Sequence, residues 1–167
     1  MIRHLKLCDF KLMPWANGRG QTVEMWREER DGALLWRLSR AVVAEDGAFS
    51  LFPGFDRNLT VIDGPGFDLV GVDRVTARYL QPVAFAGDVA MRAERVSAPS
   101  EDFNVMVRRG AVQADVRVLA AGRVTGAVFA LEPVRVGDIR MAQYELVLCD
   151  EEVAFVGLAV VVRWQMC

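Results

Sequence analysis

Nine residues, PWANGRGQT from Pro14 to Thr22, gather Trp, Asn, Arg, Thr and two glycines directly ahead of a strand-like run, TVEMWR. Glycines let the backbone bend, and Asn, Arg and Thr offer hydrogen bonds at the bend. The chemistry on offer is binding: the segment reads as a loop at the mouth of a pocket, without saying what enters. The same composition also suits a turn joining an N-terminal arm to the first strand. A second loop, FSLFPGFDRNL from Phe49 to Leu59, sets three phenylalanines around a Pro53-Gly54 turn and presents Arg57 as the next strand begins. Arg57 can pair with Asp56 or Asp63, or grip a ligand carboxylate with two parallel N–H groups. Glu24 is either a buried pocket acid or an exposed strand charge. Asp102 and Asn104 either line a cavity or belong to a connecting element.

These side chains need strands to hold them. LLWRLSRAVV alternates, with Trp36, Leu38 and Arg40 on one face and Arg37, Ser39 and Ala41 on the other. The second face meets either solvent, the usual place for arginine, or a polar cavity. In TVEMWR, alternation puts Thr22, Glu24 and Trp26 on one face. Further strand candidates are Leu59–Ile62, Phe67–Val72, Val75–Leu80 and Asp88–Glu94. A second set is Val112–Ala120, Val124–Glu132, Gln143–Cys149 and Val153–Arg163. Turn-forming Gly, Pro and Asp separate them. Many short strands at this spacing predict a mainly β sandwich or barrel. One segment differs. Ser100 as N-cap, Glu101 and Asp102 after it, Arg108 and Arg109 at the end and then Gly110 predict a short helix near 100–109.

Composition narrows the function classes. The chain has 167 residues, of which 53% are hydrophobic, enough for one core-forming domain. A formal net charge of −2 gives no basic face for nucleic acid. The longest apolar stretch, Val153 to Val162, is too short for a membrane-spanning helix, and no signal-peptide pattern opens the chain. That stretch suits a core strand or a homodimer contact equally. Three distant cysteines, Cys8, Cys149 and Cys167, form no metal or disulfide pattern and suit a reducing cytoplasm. With His4 the single histidine, neither a multi-histidine metal site nor a Ser-His-Asp triad is expected. No cofactor motif is present. Lys6 and Lys11 are the only lysines among 20 basic residues, so nearly all fixed positive charge is guanidinium.

In order and spacing, PWANGRGQTVEM, WRLSRAVVAEDGAFSLFPGFDRNLTVIDG, FAGD and DFNVMVRRG resemble the motifs of the HutD/Ves family, from about Met13 to Gly110. That family carries a Pro-Trp-Lys-Asn-Gly-Gly-Gly loop, a Trp-Arg-x-Ser strand, a Phe-Pro-Gly-x-Asp-Arg loop and an Asp-x-Asn-Val-Met segment. The resemblance implies a cupin-type (RmlC-like) β-barrel in one domain, 1–167. Its two halves, about 1–95 and 96–167, would pack as a bicupin-like unit. It also implies a protein associated with histidine utilisation. Carried onto this chain, the pocket motifs fall on Trp15, Asn17, Arg37, Ser39, Ser50, Arg57, Asp102 and Asn104. Arg19 and Glu24 join them from the reading of the residues.

The chain departs from the family motif at Ala16, where the family has Lys, and at Arg19, where it has Gly. It departs again at Val23, where the family has Arg, and at SAPSE ahead of Asp102. The resulting expectation is a cytoplasmic, non-enzymatic protein that binds a small carboxylate such as urocanate or formylglutamate, without a metal. The alternative is a metal-free isomerase or hydrolase with Glu24 or Asp102 as general base.

Overall fold

The computed structural model describes residues 1–15 and 20–167. Runs rich in Val, Leu, Phe and Trp become strands, and the chain adopts the expected mainly β class. In chain order the strands are β1 (Ile2–Leu5), β2 (Lys11–Pro14), β3 (Gln21–Arg30), β4 (Ala33–Val43), β5 (Gly47–Ala48), β6 (Phe55–Asp63), β7 (Phe67–Val70) and β8 (Arg74–Ala77). Then come β9 (Val83–Ala86), β10 (Arg92–Glu94), β11 (Ser100–Arg108), β12 (Val112–Ala130), β13 (Val134–Val136), β14 (Ile139–Met141) and β15 (Leu146–Met166). Among the described residues the one helical element is a 3-10 turn at Leu7–Asp9.

The chain divides into two compact units, Lys11–Val112 and the pair of segments Met1–Phe10 with Gln113–Cys167. In Lys11–Val112, a six-stranded sheet runs β2-β3-β4-β11-β6-β9 and a four-stranded sheet runs β5-β10-β7-β8. Leu59, Val61, Phe67, Leu69, Ala77, Met91 and Ala93 form a buried apolar cluster in this unit. Removing such side chains from water is the main force that holds the strands in register. Gly66 begins the β7–β8 hairpin at φ +82, and a Cβ there would lie 2.1 Å from the Ala77 carbonyl oxygen. Only glycine fits both the left-handed backbone and that close approach.

In the other unit the order is β1-β15-β13-β14, with β12 also paired to β15. Its core gathers Val124, Val128, Val134, Val136, Met141, Phe155 and Val161, and takes in Cys149. Val160, Val161 and Val162 are buried within β15, so the apolar run from Val153 serves as a core strand. His4 on β1 lies 2.7 Å from Glu145, so the single imidazole anchors the N-terminal strand.

The short helix expected near 100–109 is not formed. Ser100–Arg108 is β11, paired antiparallel with β4 on one side and β6 on the other. The features read as helix caps have other uses. Gly66 N–H donates to Ser100 Oγ at 2.8 Å, and Glu101 pairs with Arg40 at 2.6 Å. Arg109 lies past the strand and binds Asp56 and Asp88. Residues 102–107 are all buried, so both faces of this central strand are covered. A strand covered on both faces loses the polar alternation that would reveal it.

A second departure lies in β3. The register against β4 shifts between Glu24 and Trp26, which leaves Met25 as the extra residue of a bulge. Beyond it the faces exchange. Trp26 pairs with Leu38 and its ring meets Trp36 at 6.5 Å, while Arg27 comes opposite Arg37. Trp26 therefore does not share the face of Thr22 and Glu24 that unbroken alternation predicts.

Candidate ligand-binding cavity

Register decides which side chains meet. Asp102, Asn104 and Met106 of β11 pair with Ala41, Ser39 and Arg37 of β4, and with Val61, Leu59 and Arg57 of β6. Paired residues of adjacent strands point to the same face. That face forms the floor of a cavity of about 500 Å³ within Lys11–Val112. Trp15, Thr22, Arg37, Ser39, Glu45, Asp46, Arg57 and Asn104 supply its polar lining, together with Ser50 from the Phe49–Phe52 loop. Met106, Phe49 and Phe52 are its apolar surfaces, and residues 44–48 lie along its rim.

Arg57 is the central feature. It is 8% exposed, and its guanidinium carbon sits 5.0 Å from the Phe85 ring, 5.2 Å from Phe52 and 5.8 Å from Phe49. Its Nη1 donates to the Ser50 carbonyl at 3.3 Å and its Nη2 to Asn104 Oδ1 at 3.2 Å. Its Nε has no partner. Among the described residues no carboxylate forms an ion pair with it. Asp56, one of the partners read from sequence, is held by Arg109 at 2.8 Å. Desolvation lowers the Arg57 pKa to about 10, Asp102 opposes that fall and Arg37 adds to it. The group still carries its charge at neutral pH. A buried cation facing neutral acceptors and aromatic rings is poised for an anion.

Arg37 differs. Its Nε donates to Glu24 Oε2 at 2.6 Å, and its Nη2 reaches the Met13 sulfur at 3.6 Å. Glu24 is buried and does not line the cavity; it stands behind Arg37 and fixes it. Arg37 and Ser39 therefore face the cavity rather than solvent, which settles the choice that alternation left open.

Trp15 Nε1 donates to Thr22 Oγ1 at 2.9 Å, which holds the indole at the cavity wall. The ring lies so close over Gly20 that a Cβ there would be 2.7 Å from it. Asn17 and Arg19, expected on the same loop, lie outside the described residues, as does Ala16.

Asp102 is fully buried and is not part of the cavity lining. Its Oδ1 accepts a hydrogen bond from Asn104 Nδ2, and its Oδ2 has no partner. Burial pushes its pKa up to about 8; the positive charge of Arg57 pulls in the opposite direction. Among the described residues no group of three His, Cys, Asp or Glu side chains is placed to hold a metal ion.

The structure thus brings together Trp15, Arg37, Ser39, Ser50, Arg57 and Asn104, with Glu24 and Asp102 behind them. Sequence reasoning passed over Ala41, Val43 and Met106 as cavity residues. The alternation that picks out Arg37 and Ser39 extends to Ala41 and Val43, so that signal was present. Phe85 was hidden in a four-residue strand, β9.

The sequence profile of the HutD family matches residues 8–148. The chain belongs to the HutD family. Protein Ves from Cronobacter sakazakii is 37% identical over 134 residues, 74% of each chain. A Pseudomonas putida protein, named as an uncharacterized 21.2 kDa protein in the hutC 3' region, is 37% identical over 110 residues, 63% of this chain and 57% of its own. The structure of HutD from Pseudomonas fluorescens SBW25, solved in a formate condition, superposes with a TM-score of 0.91 at 27% identity, covering 100% of both chains. YhhW from Escherichia coli shares the fold alone, with a TM-score of 0.65 at 7% identity over 98% of this chain and 97% of that one. No helix among the described residues is long and apolar enough to cross a membrane.

Proposed function

We propose that this HutD-family chain binds a small carboxylate metabolite in its cavity, without chemistry of its own, and moderates histidine utilisation by doing so. The observation that carries the reading is Arg57, a buried guanidinium with no ion-pair partner among the described residues. The aromatic side chains around it exclude water and strengthen its attraction for an anion. Ser39, Asn104 and Thr22 add neutral hydrogen-bonding groups, and Trp15 offers a flat face to a planar ring. Urocanate and formylglutamate both combine a carboxylate with a body of suitable size. The P. putida relative named for its position beside hutC supports the link to that locus.

Calorimetric titration of urocanate and formylglutamate into wild type and Arg57→Gln tests the reading. Losing a charge-assisted contact costs roughly 1.5–3 kcal/mol, about ten- to a hundredfold in affinity. Absence of binding by the wild type, or equal binding by both proteins, refutes it.

The second reading, a metal-free isomerase or hydrolase, draws support from one observation. The Asp102 pKa is pushed to about 8, a range suited to general acid–base work. Its burial behind Asn104 weighs against direct contact with a substrate. Turnover of either acid by wild type, lost in Asp102→Asn, would favour catalysis over binding.

A further inference from the structure

Asp102 and Arg57 are joined through one amide. Asn104 Nδ2 donates to Asp102, and Asn104 Oδ1 accepts from Arg57 Nη2 at 3.2 Å. The other Asp102 oxygen is buried with no hydrogen-bond partner. The charged groups around this carboxyl are few. From β6 comes Arg57. Arg37 of β4 bears on Arg57 rather than on Asp102, and is already paired with Glu24 of β3 at 2.6 Å. On β11 itself, Glu101 points to the opposite face and pairs with Arg40 at 2.6 Å. Ala41 and Val61, its cross-strand partners, are apolar. An ionised Asp102 therefore depends on Arg57 for its compensating charge.

We infer that a ligand carboxylate and ionised Asp102 compete for the Arg57 guanidinium, so that binding is coupled to uptake of a proton by Asp102. This rests on the cavity being a carboxylate site. The proton comes from solvent and adds to a carboxylate oxygen of Asp102; no other bond changes. Burial already drives the group toward its neutral form, and Arg57 is the main opposing influence. A ligand carboxylate against Arg57 cancels that influence. The acid form is then favoured more strongly in the complex than in the free protein. By linkage, affinity is constant below the free-protein midpoint of Asp102 and falls as pH rises above it, approaching about tenfold per pH unit.

The probe is N-formyl-L-glutamate, whose carboxylates stay ionised across the range, titrated calorimetrically into the full-length protein between pH 6.5 and 9. Buffers of contrasting ionisation enthalpy are compared at each pH. The expected uptake is about half a proton per ligand near pH 8 and close to one near pH 9. In parallel, carbon-13 NMR of aspartate-labelled protein follows the Asp102 carboxyl, assigned by its loss in Asp102→Asn. Its midpoint is expected to move upward when the probe, or formate at high concentration, is added.

Binding heat that is the same in every buffer, with an unmoved Asp102 midpoint, overturns the coupling and leaves the carboxylate site standing. Absence of binding heat with both anions overturns the site and the coupling together. An Asp102 carboxyl that stays protonated from pH 6 to 9 in the free protein has no proton to take up, and overturns the coupling without reference to any ligand. The buffer comparison uses the wild type alone and does not depend on folding of the variant.

Discussion

Replacing Asp102 by Asn should make the protein more stable relative to wild type as pH rises, over a defined window. The carboxyl is fully buried, and its pKa is raised from 3.8 to about 8. A folded-state pKa above the unfolded value means that the folded chain holds the proton more tightly. The stabilising contribution of the protonated acid is then complete below about pH 4 and is lost as pH climbs through the folded value. Each pH unit in that window changes stability by about 1.4 kcal/mol. Between pH 5 and pH 8 the wild type should therefore lose roughly 4 kcal/mol relative to the variant, which cannot ionise. Above that window the difference levels off, because both states of the wild type are ionised. Urea unfolding of both proteins at several pH values measures it, and the other carboxylates cancel in the comparison. A difference that stays flat between pH 5 and pH 8 would refute the argument. It would mean that Arg57 holds Asp102 ionised in the folded protein at neutral pH.

Two further outcomes follow from the same geometry. Glu24→Gln leaves the largely buried Arg37 without its counter-charge, and should destabilise the protein by roughly 3 kcal/mol in urea unfolding. A double variant with Arg37→Gln should recover much of that cost; strictly additive losses would show that the two residues are not coupled. Gly66→Ala meets the Ala77 carbonyl at 2.1 Å as well as an unfavourable φ, so its melting temperature should fall much further than that of Gly32→Ala. Gly32, at φ +75 with nothing within 4 Å, reports the backbone cost alone, roughly 1 kcal/mol; equal losses in the two variants would remove the steric argument.

The β class was readable because strands exposed on one side advertise themselves by alternation, and β4 is the clearest case. Its Arg37–Ser39–Ala41 face was visible as a face, but its destination was not. What turns it toward a cavity is the pairing of Arg37 with Glu24, a contact across 13 positions that local pattern does not encode. The Ser100–Arg108 segment misled for a related reason. Cap-like residues at both ends of a strand buried on both sides mimic a helix when the neighbouring strands are unknown. The bulge at Met25 was invisible because an added residue leaves no compositional mark, yet it decides where Trp26 and Arg27 point. Val112–Ala120 and Val124–Glu132 read as two strands because AAG resembles a turn, whereas β12 runs through it. Gln143–Cys149 and Val153–Arg163 merge in the same way through the exposed residues 150–152 of β15. Arg57 was legible as a ligand candidate, but its lack of a direct ion pair became apparent only once Arg109 was seen to hold Asp56.

The strand order of the six-stranded sheet has a consequence for how this protein can change. On β11 the even positions 102, 104 and 106 turn to the cavity side, and the odd positions 103, 105 and 107 turn to the opposite buried face. One short strand thus carries two separate texts interleaved letter by letter. Substitutions at Asn104 and Met106, combined with Ser39 and Ala41 on β4, can rewrite what the cavity accepts while Phe103, Val105 and Val107 keep the packing intact. A single inserted or deleted residue in β11 would exchange the two texts and ruin both. Diversification of ligand preference among such chains is therefore expected to proceed by substitution at alternate positions, with length along this strand held fixed.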